Sequence, residues 1–63
     1  MRFFRVVNSV LSANEQPVDL VAGSLGYLLR FDSEGDLIVS IDELAGTHSM
    51  FLQDATYLKF EVG

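Results

Sequence analysis

The sequence has no cysteine and no tryptophan, a single proline, a single histidine and only four basic residues. Without cysteine, disulfide bonds and thiolate metal sites are excluded. The longest apolar runs, such as Leu37-Ile38-Val39, are far shorter than the roughly 20 residues that a membrane-spanning helix needs. The N-terminal residues also lack the apolar segment and small-residue cleavage site of a signal peptide. We therefore expect a cytoplasmic protein with no membrane segment.

Acidic residues outnumber basic residues by nine to four, and the net charge is −5. The basic residues are scattered along the chain: Arg2, Arg5, Arg30 and Lys59. Because affinity for nucleic acid comes largely from clustered lysine and arginine, this balance argues against nucleic acid as a partner. It suits a protein partner, including a basic one that surface carboxylates would attract.

Sixty-three residues make a single domain, which we expect to span residues 1–63. A domain of this size buries only about 60% of the surface that its unfolded chain exposes, so its stability depends on its apolar core. Hydrophobic residues make up 49% of the chain, which is generous for its length. Part of this excess is available to contact a partner, and a homo-oligomer is compatible with the composition.

The chain is organised around a predicted β-hairpin of residues 26–32 and 36–42. Ser33-Glu34-Gly35 supplies the turn, with Gly35 available for a positive φ. Alternation assigns two sets of side chains to the core: Tyr27, Leu29 and Phe31 in the first strand, and Leu37, Val39 and Ile41 in the second.

The N-terminal segment, residues 2–11, reads as the first strand. Its alternation places Phe4, Val6 and Val10 toward the core and leaves Phe3 and Val7 on the outer side. Residues 12–17 form a polar loop closed by the proline.

The segment after this loop has two interpretations. Residues 17–30 carry apolar side chains at helical spacing, which would pack a helix on a small antiparallel sheet in an α+β fold. Gly23 and Gly26 would then lie inside the helix and cost about 1 kcal/mol each. A short strand at 18–22, followed by a glycine corner, satisfies more of the local signals.

After the hairpin, residues 43–48 read as a loop that pivots on Gly46, and residues 49–53 as a short strand. Residues 54–57 predict a single helical or 3₁₀ turn, with Asp54 able to cap it. Leu58, Phe60 and Val62 then alternate with Lys59 and Glu61 as a final strand.

This order of elements resembles that of SH3-like barrels, and closure into a barrel removes most unpaired strand edges. The resemblance is carried by Val18-x-Leu20-x-Ala22-Gly23-x-x-Gly26, the hairpin from Tyr27 to Asp42, Phe51-Leu52-Gln53 with the turn after it, and Leu58-Lys59-Phe60. The chain is most similar to stand-alone bacterial barrels, including small accessory subunits of photosynthetic electron-transfer complexes. The resemblance implies an all-β, five-stranded SH3-like barrel with one short 3₁₀ or helical turn before the last strand.

The chain departs from the peptide-binding SH3 domains, which resemble one another in an aromatic groove that docks proline-rich segments. It has no tryptophan, and no Ala-Leu-Tyr-x-Tyr segment opens the domain. It also lacks the basic loop with which the similar barrels of translation factors face RNA. Neither role is therefore carried over to this chain.

Two motifs that superficially suggest ligand sites are better explained as turns. Asp32-x-Glu34-x-Asp36 with Glu43 copies the register of a Ca²⁺ loop, but Leu37 occupies the sixth position, where such a loop needs glycine. Gly23-Ser24-Leu25-Gly26 has the GxxG form of a nucleic-acid-clamping loop, yet Arg30 is the nearest basic residue. We expect no metal and no cofactor.

Catalysis is not expected either. His48 is the sole histidine, and its neighbour Ser49 would have to converge with it and with an orienting acid in space. Adjacent residues on a loop rarely do so, and a barrel of this size is too small to enclose a substrate pocket.

The sequence therefore favours a non-catalytic protein-binding module that serves as an accessory or regulatory subunit of a larger complex. The candidate partner-binding residues are Phe3, Val7, Glu43, His48 and Tyr57. One alternative is a small acidic inhibitor of the phage type, which blocks the basic nucleic-acid-binding cleft of a host enzyme. Another is a small nucleic-acid-binding barrel.

Overall fold

The computed structural model describes residues 2–12 and 17–61, which form seven β-strands and one 3₁₀ segment. The strands are β1 (Phe3–Val6), β2 (Val10–Ser12), β3 (Val18–Leu20), β4 (Leu25–Phe31), β5 (Leu37–Ile41), β6 (Leu44–Met50) and β7 (Leu58–Phe60), and the 3₁₀ segment is Leu52–Tyr57. Within these ranges the chain has no helix with the length and hydropathy that crossing a membrane would require.

Five of the strands make one antiparallel sheet in the order β6-β5-β4-β1-β7, so the N-terminal strand lies inside the sheet. Strands β2 and β3 form a separate hairpin that contacts β6 and the 3₁₀ segment. The Phe51 N–H donates a hydrogen bond to Ser12 Oγ at 3.0 Å and ties this hairpin to the start of the 3₁₀ segment. The predicted all-β class is confirmed, with a five-stranded antiparallel sheet, a small two-stranded sheet and a short 3₁₀ segment before the last strand.

The core lies between the inner face of the sheet and the β2–β3 hairpin. Its buried side chains are Phe4, Val6, Val18, Leu20, Leu28, Leu37, Val39, Ile41, Met50 and Leu58. Full burial of one such side chain contributes about 1.5–3 kcal/mol. Every strand except β2 supplies at least one of these side chains, and β2 contributes the half-buried Val10 and the buried Ser12. Each strand is therefore held by the same core.

Gly26 in β4 gives the Phe4 ring its place in this core. The two residues are cross-strand partners, and a Cβ at position 26 would overlap the Phe4 ring and lie 2.7 Å from the Ser40 carbonyl oxygen. The ring also meets Phe60 in an edge-on contact with the centroids 5.6 Å apart. The glycine is therefore required by packing and not by a positive φ.

The predicted first strand, residues 2–11, is interrupted and forms β1 and β2. The Val6 N–H donates to the Ser24 carbonyl and the Val7 N–H donates to the Tyr57 carbonyl, each at 2.8 Å, as the chain leaves the sheet. The following residues then pair with β3. The predicted core face is confirmed, since Phe4 and Val6 are buried and Val10 is half-buried.

A strand after the loop is confirmed as β3, although it ends at Leu20 and not at residue 22, and the helix at 17–30 is wrong. The chain turns at Gly23, whose φ of +94° is a conformation that glycine adopts without steric cost. In the predicted loop at 12–17, Ser12 is instead a buried residue of β2, and residues 13–16 lie outside the described residues.

The core face predicted for the first hairpin strand is wrong, whereas that of the second is confirmed. Gly26 and Leu28 face the core in β4, while Phe31 is exposed. The reason is long-range, because the Phe4 ring occupies the space above Gly26. The pairing of β4 with β5 also shifts by one residue between Leu28 and Arg30, as in a β-bulge.

The loop predicted at residues 43–48 is also wrong, because β6 begins at Leu44 after a tight turn at Asp42-Glu43. Gly46 has a φ of +80°, and the pairing with β5 is irregular around it, so the glycine makes a bulge in a strand. The strand predicted at 49–53 ends at Met50, and Leu52 begins the 3₁₀ segment.

The cap predicted at Asp54 is wrong, because Phe51 occupies the N-cap position and makes no side-chain cap hydrogen bond. The Asp54 N–H donates instead to the Phe51 carbonyl at 3.0 Å, so Asp54 lies within the first turn of the segment. The final strand is confirmed as β7, although Val62 lies outside the described residues.

Replacing Gly26 with alanine should destabilise the fold more than the same change at Gly46. The new Cβ of G26A would overlap the Phe4 ring and press on a backbone oxygen, which should cost about 3 kcal/mol in the free energy of unfolding. Gly46→Ala meets open space and carries only the strain of a positive φ, about 1–2 kcal/mol. Urea denaturation of both variants measures the difference, and equal losses would contradict the packing role of Gly26.

Candidate functional site

Phe3, one of the predicted partner-binding residues, lies on the outer face of the five-stranded sheet. Since Phe4 and Val6 are buried, Phe3 and Arg5 point to the opposite face of β1. On β4, Leu25 and Tyr27 share that face, because Phe3 pairs with Tyr27 and Arg5 pairs with Leu25. These four side chains form the centre of a continuous surface.

Phe3 and Tyr27 make an aromatic pair across the two strands. Their ring centroids are 4.7 Å apart at an interplanar angle of 74°, an edge-to-face arrangement. Such a pair contributes about 0.5–1.5 kcal/mol beyond its area burial and holds both rings in place. Phe3 is nevertheless 55% exposed, and Leu25 beside the pair is 41% exposed. A fixed aromatic ring with half of its surface in water is thus the main apolar feature of this face.

Three basic side chains surround the aromatic pair. Lys59 of β7 pairs with Arg5, and Arg30 on β4 pairs with Ile38 on the same outer face. Arg5 Nε lies 3.6 Å from Glu61 Oε1, but both side chains are about half exposed, so this ion pair contributes little to stability. We define the outer patch as Phe3, Arg5, Leu25, Tyr27, Arg30 and Lys59.

Val7 and Tyr57, two other predicted residues, are brought together at the end of β1. The Val7 N–H donates to the Tyr57 carbonyl at 2.8 Å, which joins the first strand to the last residue of the 3₁₀ segment. Val7 is 44% exposed and Tyr57 is half-buried. They lie beyond the Val6 end of β1, whereas Phe3 begins that strand, so they are not part of the outer patch.

Glu43 and His48, the remaining predicted residues, are not next to each other in one loop. Glu43 is exposed in the turn between β5 and β6. His48 lies in β6 opposite the buried Val39, and its Nε2 atom is buried without a hydrogen-bond partner among the described residues. A nitrogen in that position offers little to a partner arriving from solvent.

Of the six residues of the outer patch, sequence reasoning named only Phe3 as a candidate, and it placed Tyr27 in the core. Strict alternation along β4 groups Tyr27 with Phe31, but the bulge between Leu28 and Arg30 puts these two side chains on different faces. Had Gly26 been recognised as the place where a neighbouring ring enters, the same alternation would have put Tyr27 on the outer face.

The acidic tip of the β4–β5 hairpin holds three carboxylates, those of Asp32, Glu34 and Asp36, whose ligand atoms lie within 4.8 Å of one another. Asp32 Oδ1 accepts hydrogen bonds from the Glu34 N–H at 2.8 Å and the Asp36 N–H at 3.0 Å. Asp36 Oδ1 accepts one from the Leu52 N–H at 3.2 Å. Two of the three carboxylates thus hold the turn together, as aspartate does in Asx-turns.

The Gly23–Gly26 corner is also structural. Gly23 makes the turn, and Gly26 is buried under the Phe4 ring, so its backbone is covered by a side chain of the protein itself. The Gly23 N–H donates to the Val6 carbonyl at 2.8 Å, and the Gly23 carbonyl accepts from Arg5 Nη1 at 3.5 Å, so both groups hold the corner at the end of β1.

Comparison of the chain with protein-family models, with curated proteins and with solved structures gave no match.

Two buried serines differ in their hydrogen bonds, and replacing each with alanine tests whether Ser49 has a partner. Ser12 Oγ accepts the Phe51 N–H, whereas Ser49 Oγ is buried without a partner among the described residues. Ser12→Ala leaves the partly buried Phe51 N–H without its acceptor and should cost about 1–2 kcal/mol in the free energy of unfolding. Ser49→Ala removes an unsatisfied hydroxyl and should cost at least 1 kcal/mol less than S12A. Thermal or urea denaturation measures both; a larger loss for S49A would mean that Ser49 has a partner.

Proposed function

We propose that this protein is a non-catalytic, cytoplasmic protein-binding module that acts as an accessory or regulatory subunit, and that its partner docks on the outer patch. The observation that carries the proposal is the exposed aromatic pair of Phe3 and Tyr27 on an ordered sheet. Aromatic anchors on rigid elements dominate the energetics of protein interfaces, because they bury a large area and lose little conformational entropy on binding.

The energetics of a small domain also support this proposal. A chain of 63 residues has little apolar surface to spare, yet Phe3 and Leu25 leave much of theirs in water. Neighbouring exposed apolar side chains rimmed by polar groups are typical of interaction sites. The rim here consists of Arg5, Lys59 and Arg30.

The non-catalytic part of the proposal is supported by the position of His48. A general base must reach the proton that it abstracts, and the buried Nε2 faces the core side of β6. Ser49 follows in the strand, so its side chain points to the opposite face of the sheet. The two side chains therefore do not converge on one substrate.

Phe3→Ala should weaken partner binding by about 2 kcal/mol, which is roughly thirtyfold in Kd, because truncation removes the aromatic anchor. The partner is first identified by photo-crosslinking from position 3 in the cells that make the protein, and Kd is then measured with the purified partner by calorimetry.

Phe31→Ala is the matched control, since Phe31 is the same residue type with the same 55% exposure at the far end of β4. We expect it to change Kd less than threefold. Unchanged binding in F3A would exclude the outer patch as the docking site, and loss of binding in F31A alone would move the site to the hairpin tip.

The second candidate function, an acidic inhibitor of a basic nucleic-acid-binding cleft, is supported by the carboxylates at the two ends of β5. The acidic tip lies at one end and the Asp42-Glu43 turn at the other. A basic cleft could contact both turns and would depend on long-range attraction.

The double variant Glu34→Gln with Glu43→Gln separates the two functions, because both residues are exposed and neither belongs to the outer patch. For docking on the outer patch we expect Kd to stay within twofold of wild type. The inhibitor function instead requires the affinity for the partner to fall at least tenfold at low salt, and this difference from wild type to become smaller as ionic strength rises. Such a loss, measured with the purified partner between about 0.05 and 0.5 M salt, would favour the inhibitor.

A further inference from the structure

We infer that the outer patch recognises an acidic, apolar segment of its protein partner, although the protein as a whole is acidic. The inference rests on the proposed function and adds the chemistry of the partner. It comes from the juxtaposition of the Phe3–Tyr27 pair with Arg5 and Lys59 at one end of the patch and Arg30 at the other.

The basic residues of the patch are placed to contact two separate carboxylates. Arg5 and Lys59 lie in the cross-strand row of Leu25, and Arg30 lies five residues further along β4. At about 3.3 Å per residue this separates the two basic positions by roughly 17 Å, with the aromatic pair between them. An extended segment of five or six residues spans that distance, so it can place an acidic side chain at each end and apolar side chains over the rings.

The acidic residues of the described chain lie mostly away from this face. They occupy strand β3, the hairpin tip, the β5–β6 turn and the 3₁₀ segment: Asp19, Asp32, Glu34, Asp36, Glu43 and Asp54. Asp42, whose N–H donates to the Leu25 carbonyl, lies at a corner of the patch, and Glu61 is already in an ion pair with Arg5. The three cations of the patch thus exceed the two anions at its border, on a chain whose net charge is −5.

The same charges argue against two other occupants. A second copy docked by the same face about a twofold axis would bring the basic residues of both copies together. A nucleic-acid strand carries a phosphate at every nucleotide, and the cations of the patch, which lie in two separate positions, would leave the phosphates between them without a partner. A protein segment with two or three carboxylates meets the local cations at close range, while acidic groups beyond the Debye length of about 8 Å are screened at physiological salt.

The test uses the full chain and peptides of known composition. Random twelve-residue peptides displayed on phage are selected against the immobilised protein, and the enriched peptides are synthesised with a fluorophore and their Kd is measured by anisotropy. We expect enriched peptides to combine two or more Asp or Glu residues with aromatic or aliphatic ones. We expect Phe3→Ala to weaken their binding about thirtyfold, as for the partner itself.

Two variants with the same net charge then isolate the role of the patch. Lys59→Gln and Gln53→Glu each change the charge by one unit in the same direction, but Lys59 lies on the patch and Gln53 lies on the exposed surface of the 3₁₀ segment. We expect K59Q to weaken peptide binding at least threefold at 0.05 M salt, roughly the effect of one surface ion pair, and Q53E to change it less than twofold. Adding Arg30→Gln to K59Q should bring the loss to about tenfold.

The outcomes separate this inference from the proposed function. Peptides that need Phe3 but are neutral or basic, or that bind K59Q and Q53E equally, would overturn the acidic partner and leave the docking site in place. Enriched peptides that bind F3A as well as wild type would overturn the docking site itself. A fluorescent oligothymidylate that binds wild type and is lost in both F3A and K59Q would replace the acidic segment with single-stranded nucleic acid.

Discussion

The seating of the Phe4 ring on Gly26 is the contact on which the rest of this structure depends. A side chain at position 26 would overlap the ring, so the glycine leaves the space that the ring needs. The ring in this space fixes β1 beside β4. With β1 held there, β7 completes the sheet on the other side of β1, and the Phe60 ring closes against Phe4. A chain of this length without cysteine has no disulfide bonds to stabilise it, so it depends on packing contacts of this kind.

The outer patch is a direct consequence of the same contact. Strand geometry sends neighbouring side chains to opposite faces, so burying Phe4 exposes Phe3 and Arg5. The register that places Phe4 over Gly26 also places Phe3 opposite Tyr27 and Arg5 opposite Leu25. Stability and the proposed recognition thus share one strand, and each uses one of its faces. A change that shifts β1 would damage both.

Most acidic residues of the protein lie in a different kind of secondary structure from most of its basic residues. Most carboxylates lie in turns or in the 3₁₀ segment. Two of them, at the hairpin tip, accept backbone hydrogen bonds. Three of the four basic residues lie in strands on the outer face of the sheet: Arg5 and Lys59 by alternation, and Arg30 because the bulge after Leu28 shifts it to that face. The charge therefore separates by secondary structure, which explains how a chain of net charge −5 can present a face where cations predominate.

The amino-acid sequence by itself determined the features that depend on neighbouring residues. These are the β4–β5 hairpin with its turn at Gly35, the 3₁₀ segment before the last strand, and the core faces of β1 and β5. Only the tertiary structure decided that β1 lies inside the sheet, that Tyr27 faces outward and that His48 lies in a strand. The physical reason is that turns and alternation are local, whereas register and facing depend on contacts between residues far apart in the chain. The proposed partner-binding surface belongs to the second kind, because Phe3 and Tyr27 become neighbours only when the Phe4 ring packs on Gly26.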